Sequence, residues 1–149
     1  MPGKIVTWEF ISPARWEKGS DRVEWMATAS KIIDDLYLVR FIAKLPPGYM
    51  LYSQRTKPEK ENSPTEISFK PKSGIVLKGS CREMGGRVEL SDESWVVHPD
   101  RSCRISYMQT MGLNDEHIQE VSGTVKYQPL SEYEKFEAKT TAFSIPIRH

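Results

Sequence analysis

Two cysteines are the residues of this chain best suited to redox chemistry, and the sequence leaves three interpretations of them open. Cys81 alternates in phase with Leu77, and Cys103 with Ile105, so both thiols are predicted to point inward. Two buried, inert thiols are the favoured interpretation, because cysteine is among the residues most often buried. A disulfide between neighbouring strands would close a loop of about 23 residues and stabilise the fold by ~3 kcal/mol. A redox-active pair is the third interpretation, although no helix N-terminus is predicted nearby to lower a thiol pKa.

Other side chains give little indication of catalysis. His98, His117 and His149 lack the spacing of a metal-ligand set, and the chain has no CxxC motif. No G-x-S-x-G motif is present for a nucleophilic serine, and the Gly85-Gly86 pair is too short to hold a phosphate group. We therefore expect no catalytic residue, no metal and no cofactor.

Composition sets the class of protein. The chain has 149 residues, 38% hydrophobic and 28% charged, with a formal net charge of +1. These values predict one globular domain over residues 1–149, and the balanced charge argues against nucleic-acid binding. No apolar run approaches the ~20 residues of a membrane-spanning helix, so we expect no direct membrane insertion. The first residues do not read as a signal peptide, which leaves a cytoplasmic location or export with removal of a signal.

Any site must be positioned by the secondary-structure elements of the chain. The alternation of apolar and polar residues predicts that these are roughly eight or nine short strands of an all-β fold. Residues 36–45 are apolar on both faces, which is typical of a central strand. Gly85-Gly86 is predicted to join two strands as a tight hairpin, and Pro146 indicates an edge position or a bulge. Only residues 118–121 and 131–138 are candidates for helical turns.

Five segments resemble a known family: an opening strand containing Trp8, a strand-turn-strand around Gly48-Tyr49, a Pro-Thr strand, a Gly-x-Val-x-Tyr strand and a terminal strand. They lie at residues 6–10, 47–54, 63–69, 123–127 and 143–147. Their order is similar to that of the N-terminal, periplasmic domain of the thiol:disulfide interchange protein DsbD, over nearly the whole chain. The resemblance implies an immunoglobulin-like β-sandwich, in agreement with the strand pattern.

The resemblance also implies a redox site that this sequence cannot supply. In the family a cysteine pair follows the Gly-x-Val-x-Tyr strand, and the equivalent positions here are Leu130 and Lys135. Thiol–disulfide exchange requires a thiolate that attacks a disulfide, so the family's reaction is not expected at these positions. The family's cap loop, whose aromatic residue shields the cysteines, corresponds to residues 92–98, with Trp95 in the aromatic position.

These observations predict a non-catalytic binding module, not an enzyme, with a protein partner in the periplasm or cell envelope. Trp95 and Trp16 are the candidate contact residues, because their surroundings are predicted to be loops. A carbohydrate-binding or cell-surface sandwich is one alternative, and a redox protein that uses Cys81 and Cys103 is another. The aromatic residues considered for a recognition surface are Trp16, Trp25, Trp95, Tyr49, Tyr52 and Tyr133.

Overall fold

The described part of the chain is built from β-strands, with no helix and hence none that could cross a bilayer. The computed structural model describes residues 6–11, 23–58, 61–91 and 93–147, the first of these ranges by its backbone alone. The strands are β1 (Val6–Ile11), β2 (Glu24–Ile33), β3 (Leu36–Lys44), β4 (Tyr49–Tyr52), β5 (Glu66–Phe69), β6 (Ile75–Met84), β7 (Gly86–Ser91), β8 (Ser94–Pro99), β9 (Arg104–Leu113), β10 (Glu120–Tyr127), β11 (Pro129–Ser131) and β12 (Lys139–Pro146).

Three antiparallel sheets form an immunoglobulin-like β-sandwich, as the alternation predicted. One sheet has the order β1-β2-β3-β9-β6, a second has β11-β4-β8-β7, and a third has β12-β10-β5. The central position predicted for residues 36–45 is confirmed, because β3 lies between β2 and β9. Pro146 ends β12 at the edge of its sheet, where a missing N–H costs least.

The core lies on the faces of these sheets that the alternation assigned to the interior. Phe41 of β3 pairs with Tyr107 of β9, and both are fully buried. The ring of Trp25 in β2 lies 5.7 Å from that of Tyr107 and 5.4 Å from that of Tyr127. The inward face of β3 consists of Tyr37, Val39, Phe41 and Ala43, and Leu45 continues it.

Gly85 and Gly86 do not form the predicted hairpin. β6 pairs with β9, whereas β7 pairs with β8 in another sheet, so this pair of glycines turns the chain from one sheet to the next. Gly85 has a φ of +81°, which favours glycine. A Cβ on Gly86 would lie 2.5 Å from the carbonyl oxygen of His98, so the crossing also requires a close backbone approach.

Other local expectations also differ from the structure. The residues that the structure describes form twelve strands, more than the eight or nine expected. Residues 118–121 and 131–138 contain no helical turn; β10 begins within the first range, and β11 continues into a hairpin in the second. The expected cap loop at residues 92–98 is mostly strand β8, which pairs with β4 and β7.

Candidate functional site

Leu130 and Lys135, the two positions at which the resemblance places cysteines, lie directly opposite each other. They form an antiparallel bridge within the hairpin of residues 129–136. The flanking backbone hydrogen bonds run from Ser131 N–H to Glu134 C=O at 2.7 Å and from Phe136 N–H to Pro129 C=O at 3.1 Å. This pattern defines a non-hydrogen-bonded pair, in which the two Cα atoms are typically ~4.5 Å apart. The side chains of Leu130 and Lys135 therefore project side by side on one face of the hairpin.

A buried amide side chain holds this hairpin against the rest of the molecule. Gln128 is 4% exposed, and its Oε1 accepts a hydrogen bond from the Ser63 N–H at 2.7 Å. Its Nε2 donates to the carbonyl oxygens of Glu61 and Phe136, both at 3.0 Å. The Gln128 side chain that makes all three bonds is buried, and a buried amide without partners would be costly. Gln128 thus fixes residues 61–63 beside the hairpin.

A cleft of ≈330 Å³ opens between the hairpin and the outer face of the β4–β8 strand pair. Its apolar lining comes from Tyr52, Val96 and Leu130, of which Tyr52 and Val96 are buried. The polar lining residues are Asn62, Ser91, Ser131, Glu132, Glu134 and Lys135, and Tyr133 completes the wall. Most of the lining is polar, and Leu130 is the apolar side chain within it that a partner could contact.

The ammonium group of Lys135 lies at the rim of this cleft. Its Nζ donates a hydrogen bond to Asn62 Oδ1 at 3.1 Å and is 3.6 Å from Glu61 Oε2. Asn62 in turn donates from Nδ2 to Ser94 Oγ at 2.7 Å, which connects the rim to β8. Where the resemblance implies a reactive sulfur, the structure has an exposed cation engaged by two neighbours.

Tyr133, at the tip of the hairpin, is 91% exposed. Among residues 23–58, 61–91 and 93–147 it is the one aromatic side chain that is largely open to solvent, since the other aromatic side chains there are buried or half-buried. Sequence reasoning favoured Trp95 and Trp16 over this residue. The sequence did contain an indication that Tyr133 is exposed, because it is a single aromatic residue between the charged residues Glu132 and Glu134.

Trp95 lies on the opposite face of its sheet from the cleft. It is half-buried in β8 and pairs with Leu90, while its neighbour Val96 lines the cleft; successive strand residues point to opposite faces. The guanidinium of Arg55 lies 5.9 Å from the centre of the Trp95 ring. Trp95 therefore does not cover Leu130, and its surroundings are a strand, not the expected loop. Trp16 lies outside the described residues.

The two cysteines are free, and they lie beside positions of β9 that are far apart. Cys103 precedes the first residue of β9, whereas Cys81 lies in a bulge of β6 opposite Gln109, about 20 Å farther along the strand. A disulfide needs Cα atoms within about 7 Å, so the disulfide interpretation is wrong for this structure. Both residues are half-buried, and Cys81 alone packs against the core.

The thiol of Cys81 is poorly suited to nucleophilic chemistry. Burial raises its pKa to about 11; a hydrogen bond with Gln54 opposes the shift, and the nearby Glu83 carboxylate adds to it. The Glu83 carboxylate accepts hydrogen bonds from Ser53 Oγ at 2.5 Å and from the Gln54 N–H at 3.1 Å. These bonds tie β6 to the segment that follows β4, so the cluster connects two sheets.

The described histidines lie apart from each other, and the Nε2 atom of His98 is buried without a hydrogen bond. His98 Nε2 lies 3.4 Å from Glu89 Oε1, and the His117 N–H donates to Asp115 Oδ1 at 2.8 Å. Within the described ranges, no three His, Cys, Asp or Glu side chains converge in a group able to hold a metal ion. His149 lies outside those ranges.

The class that this geometry defines is an immunoglobulin-like β-sandwich with a cleft beside its Leu130–Lys135 hairpin. Two solved structures share the fold. The N-terminal periplasmic domain of ScsB from Proteus mirabilis superposes with a TM-score of 0.59 at 14% identity, covering 97% of this chain and 51% of that one. The reduced N-terminal domain of Neisseria meningitidis DsbD gives 0.53 at 16% identity, covering 85% and 86%.

These similarities confirm, at the level of the fold, the resemblance predicted from the sequence. The chain spans about half the length of the ScsB chain that it matches. No protein-family model and no curated protein match the sequence.

Proposed function

We propose that this chain is a non-catalytic module of the bacterial cell envelope that binds a protein partner through the hairpin of residues 129–136 and its adjoining cleft. The observation that carries the proposal is the facing pair Leu130 and Lys135. Of the two solved neighbours, the ScsB domain is described as periplasmic and the DsbD domain as reduced, whereas this pair contains no sulfur. A scaffold without thiols at this hairpin can bind but cannot exchange a disulfide there.

The cleft supports binding because it places the apolar Leu130 among polar groups and beside an exposed aromatic residue. Leu130 lies in the cleft where a partner's apolar side chain would contact it, and Tyr133 projects from the hairpin tip. Tyrosine is enriched among residues that dominate interface energies, because it buries a large area at a small cost in conformational entropy. Gln128 holds the hairpin in place before a partner arrives, which reduces the entropic cost of binding.

The absence of catalysis is tested by thiol–disulfide exchange. The purified chain, first reduced and then oxidised, is mixed with insulin or with a disulfide-bonded periplasmic protein, and exchange is followed by turbidity or mass spectrometry. We expect no turnover above the uncatalysed rate. Turnover that disappears in the Cys81→Ser or Cys103→Ser variant would show that the chain is a redox enzyme after all.

The binding surface is tested by site-specific photo-crosslinking in periplasmic extract. A photoreactive phenylalanine analogue at position 133 is expected to give a discrete protein adduct. The Leu130→Asp variant of the same protein is expected to lose that adduct. The matched control is Leu90→Asp, an exposed leucine of β7 that lies outside the cleft, and it should retain the adduct. Equal loss in both variants, or equal labelling in both, argues against the cleft as the contact surface.

A further inference from the structure

The free side of strand β6 has the features of a second binding surface. β6 ends the five-stranded sheet, and β9 is its one strand neighbour in the part of the chain that the structure describes. Its first residues carry apolar side chains that remain open to solvent on both faces. Val76 is 41% exposed and Leu77 is 47% exposed. Native edge strands usually protect such groups, because an open edge is a template for another strand.

The hydrogen-bond phase shows which backbone groups are free. The Asn114 N–H donates to the Gly74 carbonyl at 2.8 Å, which makes Gly74 and Asn114 a hydrogen-bonded pair. Hydrogen-bonded and non-hydrogen-bonded pairs alternate along an antiparallel pair of strands. Val76 and Lys78 therefore direct their backbone N–H and C=O groups toward β9. Leu77 therefore directs both its N–H and its C=O away from β9.

A bulge limits this free edge to residues 75–78. The pairing shifts between Lys78 and Arg82, so that three residues lie opposite Gln109. The Nε2 of Gln109 donates to the Lys78 and Gly79 carbonyls at 3.4 and 3.1 Å, which holds the bulge in place. Pairing with β9 resumes at Arg82, but a bulge bends the strand and increases its twist, so residues 75–78 form the uninterrupted segment before it that is able to accept another strand.

The charged side chains of β6 indicate which kind of strand could pair with its free edge. Lys78 shares the outer face of β6 with Val76, Arg82 follows after the bulge, and all three side chains are exposed. The one carboxylate of β6, Glu83, is engaged by Ser53 and the Gln54 amide. In an antiparallel pairing of two copies centred on Leu77, Lys78 of each copy would lie diagonally across from Lys78 of the other on the same face, and like charges on neighbouring strands are unfavourable.

We propose that residues 75–78 of β6 bind an extended segment of another protein that alternates apolar and acidic residues. The segment adds as an antiparallel strand, with hydrogen bonds to the N–H and C=O of Leu77. Its apolar side chains pack on the face of Leu77, and its carboxylates lie on the face of Lys78. This surface is on a different sheet from the Leu130–Lys135 cleft, so either surface can fail its test without affecting the other.

The test uses two end-blocked synthetic peptides, one with three repeats of Glu-Val and the other with three repeats of Lys-Val, added to isotope-labelled protein. We expect the acidic peptide to shift the NMR amide resonances of residues 75–78, with the Leu77 amide shifting most, and the basic peptide to shift none. Absence of shifts with the acidic peptide, or shifts confined to other strands, would overturn the proposal.

Two variants separate backbone pairing from charge. Leu77→Pro removes the outward N–H without removing a hydrogen bond to β9, and we expect it to weaken binding of the acidic peptide about tenfold. Lys78→Glu is expected to reverse the preference toward the basic peptide, whereas Lys57→Glu, at an exposed loop lysine, should leave it unchanged. Thermal unfolding checks that each variant is folded.

Analytical ultracentrifugation of the unlabelled chain tests whether β6 instead binds a second copy of this chain. We expect a monomer at all concentrations measured. A concentration-dependent dimer that Leu77→Pro abolishes would show that β6 binds a second copy of this chain, and would overturn the proposed peptide. Identical peptide binding by the wild type and Lys78→Glu would also contradict it.

Discussion

Leu130 and Lys135 occupy facing positions across a non-hydrogen-bonded pair of the hairpin at residues 129–136. The Cα separation typical of such a pair falls within the range that a disulfide spans. The backbone of the hairpin is therefore compatible with a disulfide, and the side chains alone exclude it. This relationship makes the loss of redox chemistry a matter of two residues, and several measurable consequences depend on the surrounding contacts.

The first prediction concerns that pair. In a Cys81→Ser, Cys103→Ser background, the double variant Leu130→Cys, Lys135→Cys should form an intramolecular disulfide on mild oxidation, detected by thiol titration and mass spectrometry. The closed loop is short, so we expect oxidation to stabilise the double variant by about 2 kcal/mol relative to its reduced form. The control pair Leu130→Cys, Phe136→Cys places the thiols on opposite faces of the hairpin, and it should stay reduced. Equal oxidation of both pairs would contradict the observed register.

A second prediction tests the buried amide that positions the hairpin. Gln128→Leu keeps most of the side-chain volume but leaves the Ser63 N–H and two carbonyl oxygens without their partner. We expect the free energy of unfolding to fall by about 3 kcal/mol, measured by urea denaturation. Amide hydrogen exchange at Phe136 should also accelerate. Gln119→Leu, at an exposed glutamine, should change stability by less than about 0.5 kcal/mol.

Gly123 provides a third prediction, because β5 passes very close to it. A Cβ at this position would lie 2.0 Å from the Ser68 carbonyl oxygen and 2.8 Å from Phe143 Cζ. Gly123→Ala must therefore displace backbone, and we expect a loss of about 3 kcal/mol in thermal or chemical unfolding. The matched control is Gly112→Ala in β9, where the nearest atom would be Lys78 Cε at 3.4 Å. A similar loss in both variants would show that the effect is general to strand glycines, not the contact with Ser68.

The fourth prediction follows from the raised pKa of Cys81. In a Cys103→Ser variant, the rate of alkylation by iodoacetamide should keep rising up to about pH 11, because burial keeps the thiol protonated at lower pH. In denaturant the same profile should level off near the ordinary thiol pKa.

The same shift has a consequence for stability. The folded-state pKa of Cys81 lies above its unfolded value, so the stabilising contribution of the protonated thiol is complete below the unfolded pKa. It is lost as pH rises through the folded pKa at about 11. Burial, together with the Glu83 carboxylate, also raises the pKa of Tyr107 well above its usual value, so ionisation of this tyrosine should further destabilise the fold in strong base. Unfolding midpoints measured from neutral pH to pH 12 should fall steeply in this range, and less steeply in Tyr107→Phe.

The alternation of the chain was sufficient to predict the fold class, the central position of β3 and its buried face. These features are local, because a strand's inward residues are set by the spacing of apolar side chains within it. The resemblance further predicted the fold shared with the N-terminal domains of ScsB and DsbD. Pro146 at the edge of a sheet was equally predictable, since proline lacks the N–H that an interior strand must donate.

The tertiary structure alone decided which strands pair and which faces meet. β6 and β7 are adjacent in sequence, yet they belong to different sheets, because each pairs with a strand that lies farther along the chain. The cleft beside Leu130 depends on how the hairpin of residues 129–136 lies against the β4–β8 strand pair, with β11 paired to β4. No local pattern encodes this arrangement, because the hydrogen-bonding groups of a strand are the same whichever neighbour they meet.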